Sequence, residues 1–387
     1  MSPDHLDILR RLPTRPGGAL RRPGRPRLPV AAWGSVAAAF VAGWSLAALF
    51  LPHQYPDFGV FWTAARHAFD PQLYDAAHLT AAQGWWPGMT PHPFVYPPTF
   101  LLLIWPFGLP PFSLADHLWG GLSCAAFVLA AREVVRPASA AIILLLCVPV
   151  LMAAAYGQSI FFAGASLIGG VALAERRPRL AGVLLAAAMC IKPQVTILAP
   201  LAMFGSWRVA TAALAAAAAF IVGSCVFGPG QWARWLEALP HFTGLVRQMG
   251  LGTVNLLAPG LSAPQKLMVA SAGVGFAAWS VRKDLPQRIV GIVCGSLCCA
   301  TYAVRPDLAV LAPSALAWTL SGWTSASWLR RVAGLALILG LVASPVGIAL
   351  FMLASLLAGL SGIEVLKEAR PRPWIERRRQ RLTASPQ

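Results

Sequence analysis

Charge is what this chain has least of. Only 12% of its 387 residues are charged, against about a quarter in an ordinary globular domain. Acidic residues are the scarcer kind, 14 against 31 Lys and Arg. With 57% apolar residues, a soluble fold of this length could not hide its apolar surface, so soluble enzymes, nucleic-acid binders and disordered chains are all but excluded. Recognisable cofactor motifs are missing too. There is no Walker A loop, no GxGxxG fingerprint and no GxSxG elbow, so an activated substrate is expected to arrive in a form other than a cradled nucleotide. The histidines show no HxxxH or HxxE spacing, and the seven cysteines all fall in apolar segments without a CxxC pair. No disulfide framework is predicted and no cofactor is implied; the spacing argues against a metal site, with Asp57 and His53 the one pair that keeps it open.

What the chain does have is apolar runs separated by short breaks, the pattern of an all-α polytopic membrane protein. The placement of the cations orients it. Seven of the basic residues lie between Arg10 and Arg27 and seven more between Lys367 and Arg381. Eleven more sit in the short connections Arg132 to Arg136, Glu175 to Arg179, Ser206 to Arg208, Arg282 to Arg288 and Arg330 to Arg331. The intervening connections, Pro52 to Pro97, Tyr156 to Ser159, Gly228 to Gln265 and Tyr302 to Asp307, are nearly free of Lys and Arg. Under the positive-inside rule the basic set faces the cytoplasm and the other set the outside. Basic cytoplasmic tails at 1–29 and 362–387 then flank a membrane domain at 30–361, with large external loops at 52–97 and 228–265. The tails suit anionic membrane lipids better than nucleic acid. The first apolar run, about Val30 to Leu51, reads as an uncleaved spanning helix of a plasma (inner) membrane protein.

About 9 to 12 crossings are expected from the total apolar length. Two stretches resist simple spanning: Pro98 to Pro110 is too short, and Leu180 to Gly205 is interrupted by Lys192 and Pro193. A broken or re-entrant helix pair meeting at Lys192-Pro193-Gln194 fits that second stretch. In the first external loop, Phe58 to Phe69 has helical apolar spacing, with Arg66 and His67 on the other face. It is expected to lie on the membrane surface.

Few polar residues remain to carry chemistry. Asp57 follows the first membrane helix closely, where a carboxylate can take a proton from a hydroxyl; it also suits the N-cap of a helix beginning at Phe58. Asp70-Pro71 reads as turn chemistry and Asp75 as a solvated loop residue. Lys192, deep in an apolar run, is suited to a lipid phosphate or to a structural ion pair. Arg305 is a second phosphate candidate. Asp307 is placed to cap a helix beginning at Leu308, or to neutralise Arg305. Tyr156-Gly157-Gln158 and Asn255 offer hydrogen bonds to a sugar.

Several of these pieces stand in one order: PDFGVFWTAARHAFDPQLYD, PFVYPPTFLLLIWPFGLPPF, YGQSIFFAGASLIGG and ERRPRLAGVLLAAAMCIKPQ, with RPDLAVLAPSALAW near the C-terminus. The set resembles the polyprenol-phosphate-sugar-dependent glycosyltransferases of the GT-C superfamily, in particular family 87 (DUF2029, mannosyltransferase-like). The resemblance implies a GT-C-like helical bundle with its active site at the external face. It implies transfer of a hexose, mannose in the first instance, from a polyprenyl-phosphate sugar donor to a hydroxyl of a glycolipid or glycan acceptor. It carries the catalytic acid onto Asp57. It marks Lys192 and Gln194 of the Lys-Pro-Gln element, Gln158 of the Gly-Gln element, Tyr96 of the Tyr-Pro-Pro element, and Arg305 and Asp307 as substrate-binding candidates. The C-terminal stretch departs from its relatives, having Pro306-Asp307-Leu308 where Tyr-Asp-Leu is common. The rival reading is a multi-pass transporter or lipid flippase, for which a broken helix and a buried lysine are equally expected.

Overall fold

The computed structural model describes residues 56–84, 92–136, 147–248, 261–300 and 302–323, with isolated positions near 34–38 and 331–334. Both basic tails, the run Val30 to Leu51 apart from those isolated positions, His53 and Asn255 lie outside the described residues. Among those described, all regular structure is helical and there is no extended strand.

The first external loop is itself helical. α1 (Pro56–Arg66) and α2 (Ala76–Ala82) lead to α3 (Pro98–Ile104). Pro at the first position of α3 pre-sets its backbone, and a 3-10 turn, Trp105–Gly108, ends it after seven residues. Such an element is too short to span, as its sequence predicts. There follow α4 (Phe112–Ala131), α5 (Val148–Ala155), α6 (Ile160–Leu173) and α7 (Pro178–Ile191). The predicted break falls at Lys192, whose backbone leaves the helical region (φ −145°, ψ 76°). Pro193 then starts the four-residue α8 (Pro193–Thr196). The Thr196 hydroxyl bridges the break, donating to the carbonyls of Lys192 (2.9 Å) and Ala188 (3.2 Å). After α9 (Trp207–Ser224) come α10 (Gly230–Gln248), α11 (Ala263–Ser280), α12 (Leu285–Cys299), the 3-10 segment Arg305–Leu311 and α13 (Ala312–Trp323).

Two of the basic connections meet at one end of α6, and a non-basic one lies at its other end. At one end Arg176 donates to Glu133 across 2.9 Å, joining the Arg132 to Arg136 and Glu175 to Arg179 connections. At the other end the Tyr156 to Ser159 turn meets the start of α1. α6 separates these ends by about 21 Å at 1.5 Å per residue. α7 and α9 both start from basic connections and run side by side, packed so closely that a Cβ on Gly182 would strike the backbone carbonyl of Val209.

Two of the described helices are long and apolar enough to cross a membrane, Phe112–Ala131 and Trp207–Phe227. Their outer faces carry exposed aliphatic side chains. Leu114, Leu118, Leu122 and Leu129 form one exposed stripe on α4, with Leu114 at 52% and Leu122 at 53% exposure. Leu214, Ile221 and Val222 are likewise exposed on α9.

The segment Phe58 to Phe69 packs into the protein over most of its length, leaving Arg66 and Phe69 exposed. Its apolar face is covered by protein: Phe58 stacks on Trp119 (5.6 Å), and Phe61 meets Tyr96 and Phe100 edge-on at 5.0 and 5.1 Å. Helical spacing reports only that one face is apolar. Here aromatic residues of α3 and α4, rather than lipid, satisfy it.

Candidate active site

The site is built where three chain segments meet behind α1. The turn Tyr156-Gly157-Gln158 joins α5 to α6, and Gly157 takes a left-handed conformation (φ 60°). A Cβ there would also come within 2.6 Å of the Phe58 Cβ. The glycine thus permits both the turn and the contact with α1. The turn is tied on both sides: Phe58 N–H donates to the Tyr156 carbonyl (3.3 Å), and the Trp119 indole donates to that of Gly157 (2.8 Å). Gly157→Ala should cost about 1–3 kcal/mol, visible as a lower melting temperature in detergent. Transfer should fall with it, because the same turn carries Gln158.

Gln158 is buried and bonds in two directions. Its Nε2 donates to Asp57 Oδ2 at 2.5 Å, and its Oε1 accepts from Lys192 Nζ at 2.7 Å. Lys192 Nζ also lies 2.5 Å from Asp307 Oδ1, in an ion pair whose side chains are 3% and 0% exposed. Asp307 Oδ2 accepts the Val304 N–H at 3.0 Å. A continuous relay therefore runs Asp57, Gln158, Lys192, Asp307. Only Asp57, partly exposed, opens it to the outside. Burial pushes the Asp57 carboxyl up to about 6, against the opposing pull of the Lys192 ammonium and the Gln158 hydrogen bond. A carboxyl so placed is ionised at neutral pH yet a stronger base than an ordinary aspartate.

Asp57 stands in the first turn of α1, which begins at Pro56, and its hydrogen bond goes to Gln158. It does not cap a helix starting at Phe58. Asp307 pairs with Lys192 rather than Arg305, and its segment begins at Arg305 rather than Leu308, so the carboxylate reaches back to the Val304 amide. Packing of the Arg305–Leu311 segment against α5 and α6 brings it there. Arg305 is exposed and makes no ion pair among the described residues. Tyr96 borders the relay, with its ring centroid 5.8 Å from Lys192 Nζ. Gln194 turns away to the Tyr302 hydroxyl at 3.4 Å. Asp75 is no idle loop residue: its side chain caps α2 by accepting the His78 N–H.

Some supporting residues escaped the sequence reading. Ser159 donates to the Tyr96 hydroxyl at 3.0 Å, and Thr99 donates to the Cys190 carbonyl at 2.9 Å, tying α3 to the end of α7. Ser159 adjoins Gln158 and Thr99 follows Pro97-Pro98. Adjacency to a motif was the signal available for each.

Compared with known families, the chain matches the family model of glycosyltransferase family 87 over residues 94–345. The match takes in Tyr96, Gln158, Lys192, Gln194, Arg305 and Asp307, and begins after Asp57. No curated protein and no solved structure matches the chain.

Proposed function

We propose, from the premise that this chain belongs to glycosyltransferase family 87, that it is a multi-pass membrane hexosyltransferase with Asp57 as its general base. The donor is a polyprenyl-phosphate sugar, mannose in the first instance, and the acceptor is a hydroxyl of a glycolipid or glycan. The observation that carries this reading is the relay ending on the partly exposed Asp57, whose carboxyl burial has turned into a stronger base.

The acceptor oxygen attacks the anomeric carbon and gives its proton to Asp57. The bond from that carbon to the phosphate oxygen breaks, and polyprenyl phosphate leaves with the electron pair from the opposite face, inverting the centre. One base suffices, because no covalent sugar intermediate forms. Lys192 holds Gln158, and Gln158 aims the Asp57 oxygen, so positioning supplies much of the rate. Arg305, exposed two residues from Asp307, is the cation offered to the donor phosphate, whereas Lys192, first read as suited to that phosphate, is buried and committed to Asp307 and Gln158.

Two long apolar helices with exposed aliphatic side chains support a membrane setting. Basic connections opposite the relay support an active site at the external face of the plasma (inner) membrane, with cytoplasmic termini. The bond between Lys192 and Asp307 accounts for the buried lysine and the broken helix without a transport path, which favours the transferase over the carrier.

The pH dependence tests the base directly. The kcat/KM for transfer, which reports the free enzyme, should rise through an acid limb near 6, set by Asp57 in its unprotonated form. A kcat/KM that stays flat from about pH 5 to 8, as a base of ordinary carboxylate pKa would give, contradicts the role assigned to Asp57.

A further inference from the structure

A second group of polar side chains lies at the far end of α1 from Asp57. α1 has 11 residues, so about 15 Å of helix separates the two places. Just beyond Arg66, the chain turns and gathers His67, Asp70 and His78. His78 Nε2 lies 2.8 Å and His67 Nδ1 3.5 Å from the same oxygen, Asp70 Oδ2. The three ligand atoms all lie within 4.8 Å of one another, and the two rings stand edge to face with centroids 6.1 Å apart.

The backbone presets each member. Asp70 Oδ1 accepts the Gln72 N–H at 2.8 Å, which turns Oδ2 toward the rings. The Asp75 cap fixes the first turn of α2 and with it His78. The Asp70 carbonyl accepts from Gln231 Nε2 of α10 at 2.7 Å, anchoring the turn to the next external segment. Arg66, the adjacent cation, does not neutralise Asp70; its guanidinium lies over the Trp62 ring at 4.8 Å. Among the described residues, the ion-pair partners of Asp70 are the two imidazoles. All three side chains are roughly one-quarter to two-fifths exposed, so an ion can enter from solution.

Two imidazoles and one carboxylate are the ligand set of a divalent transition-metal site. Ligand atoms about 2.0–2.2 Å from a tetrahedral ion lie roughly 3.3–3.5 Å apart. The present separations bracket that value, so small side-chain rotations complete the shell. We propose that His67, Asp70 and His78 bind one divalent ion of the Zn2+ type, with its fourth position open to water. The ion ties the end of α1 to α2 and, through Asp70, to α10. This site is separate from the relay and does not depend on the transferase reading.

The experiment uses the full chain in detergent with any affinity tag removed. Co2+ is the spectroscopic probe and Zn2+ the competitor. One equivalent of Co2+ should develop a visible d–d band that Zn2+ abolishes. Zn2+ should raise the melting temperature by a few degrees at concentrations well above its Kd. The His67→Ala/His78→Ala variant should lose the band and the shift. Asp70→Asn, which keeps an oxygen for Gln72, should weaken Zn2+ at least tenfold. Absence of a saturable band in the wild-type protein overturns the proposal whatever the variants do. So does equal Zn2+ affinity in the wild type and Asp70→Asn, which would mark the group as a hydrogen-bonded clamp only.

Discussion

Asp57→Asn should reduce glycosyl transfer by about 10²–10⁴-fold, the usual contribution of a positioned general base, with the melting temperature held or raised. The two side chains are nearly the same shape, and the Asn oxygen still accepts from Gln158 Nε2, so the turn and its contact with α1 survive. What disappears is the proton acceptor. Because burial opposes the charge of Asp57, its neutral replacement carries no desolvation cost. Binding of the lipid donor should stay close to wild type, since the proposed phosphate contact, Arg305, is a cation elsewhere. A loss of kcat with little change in KM is therefore the pattern expected. A collapse of folding or of donor binding would instead make Asp57 a structural residue.

The second large effect is at Lys192. Lys192→Met leaves the Asp307 carboxylate buried without its counter-charge, an arrangement that costs about 3–5 kcal/mol. The single variant should melt far below wild type or fail to accumulate. Adding Asp307→Asn removes the stranded charge while keeping an acceptor for the Val304 N–H, so the double variant should regain most of the lost stability. Its transfer rate should nevertheless stay low, because Gln158 Oε1 has lost its donor and Asp57 is no longer aimed. Recovery of full transfer with folding would show that the pair serves stability alone.

These two predictions rest on residues that differ in how far the sequence discloses them. The break at Lys192 is legible because Pro193 cannot continue a helix, and the interrupted stretch is too short for two crossings. Gly157-Gln158 is legible as a polar turn between apolar runs. Of the alternating connections, the basic pair Arg132 to Arg136 and Glu175 to Arg179 meets at one end of α6 and the Tyr156 to Ser159 turn lies at the other. The joining of Lys192 to Asp307 is not legible, since it depends on how the Arg305–Leu311 segment packs on α5 and α6. Helical spacing at Phe58 to Phe69 is the same whether lipid or aromatic side chains cover the face. Only the partners on α3 and α4 decide that. His67 and His78 fit no ligand motif, because a turn and a helix start intervene before the rings meet.

If sugar passes from a lipid phosphate to an acceptor hydroxyl under the action of Asp57, a label in the sugar reveals both its source and its product. Purified protein should be given membrane lipid extract with polyprenyl phosphomannose labelled in the sugar, and in parallel with a labelled nucleotide sugar of the same hexose. New labelled glycolipid is expected from the lipid donor alone, and none with Asp57→Asn. Labelled product from the nucleotide sugar would contradict this expectation, as would movement of the label into vesicles without any new product.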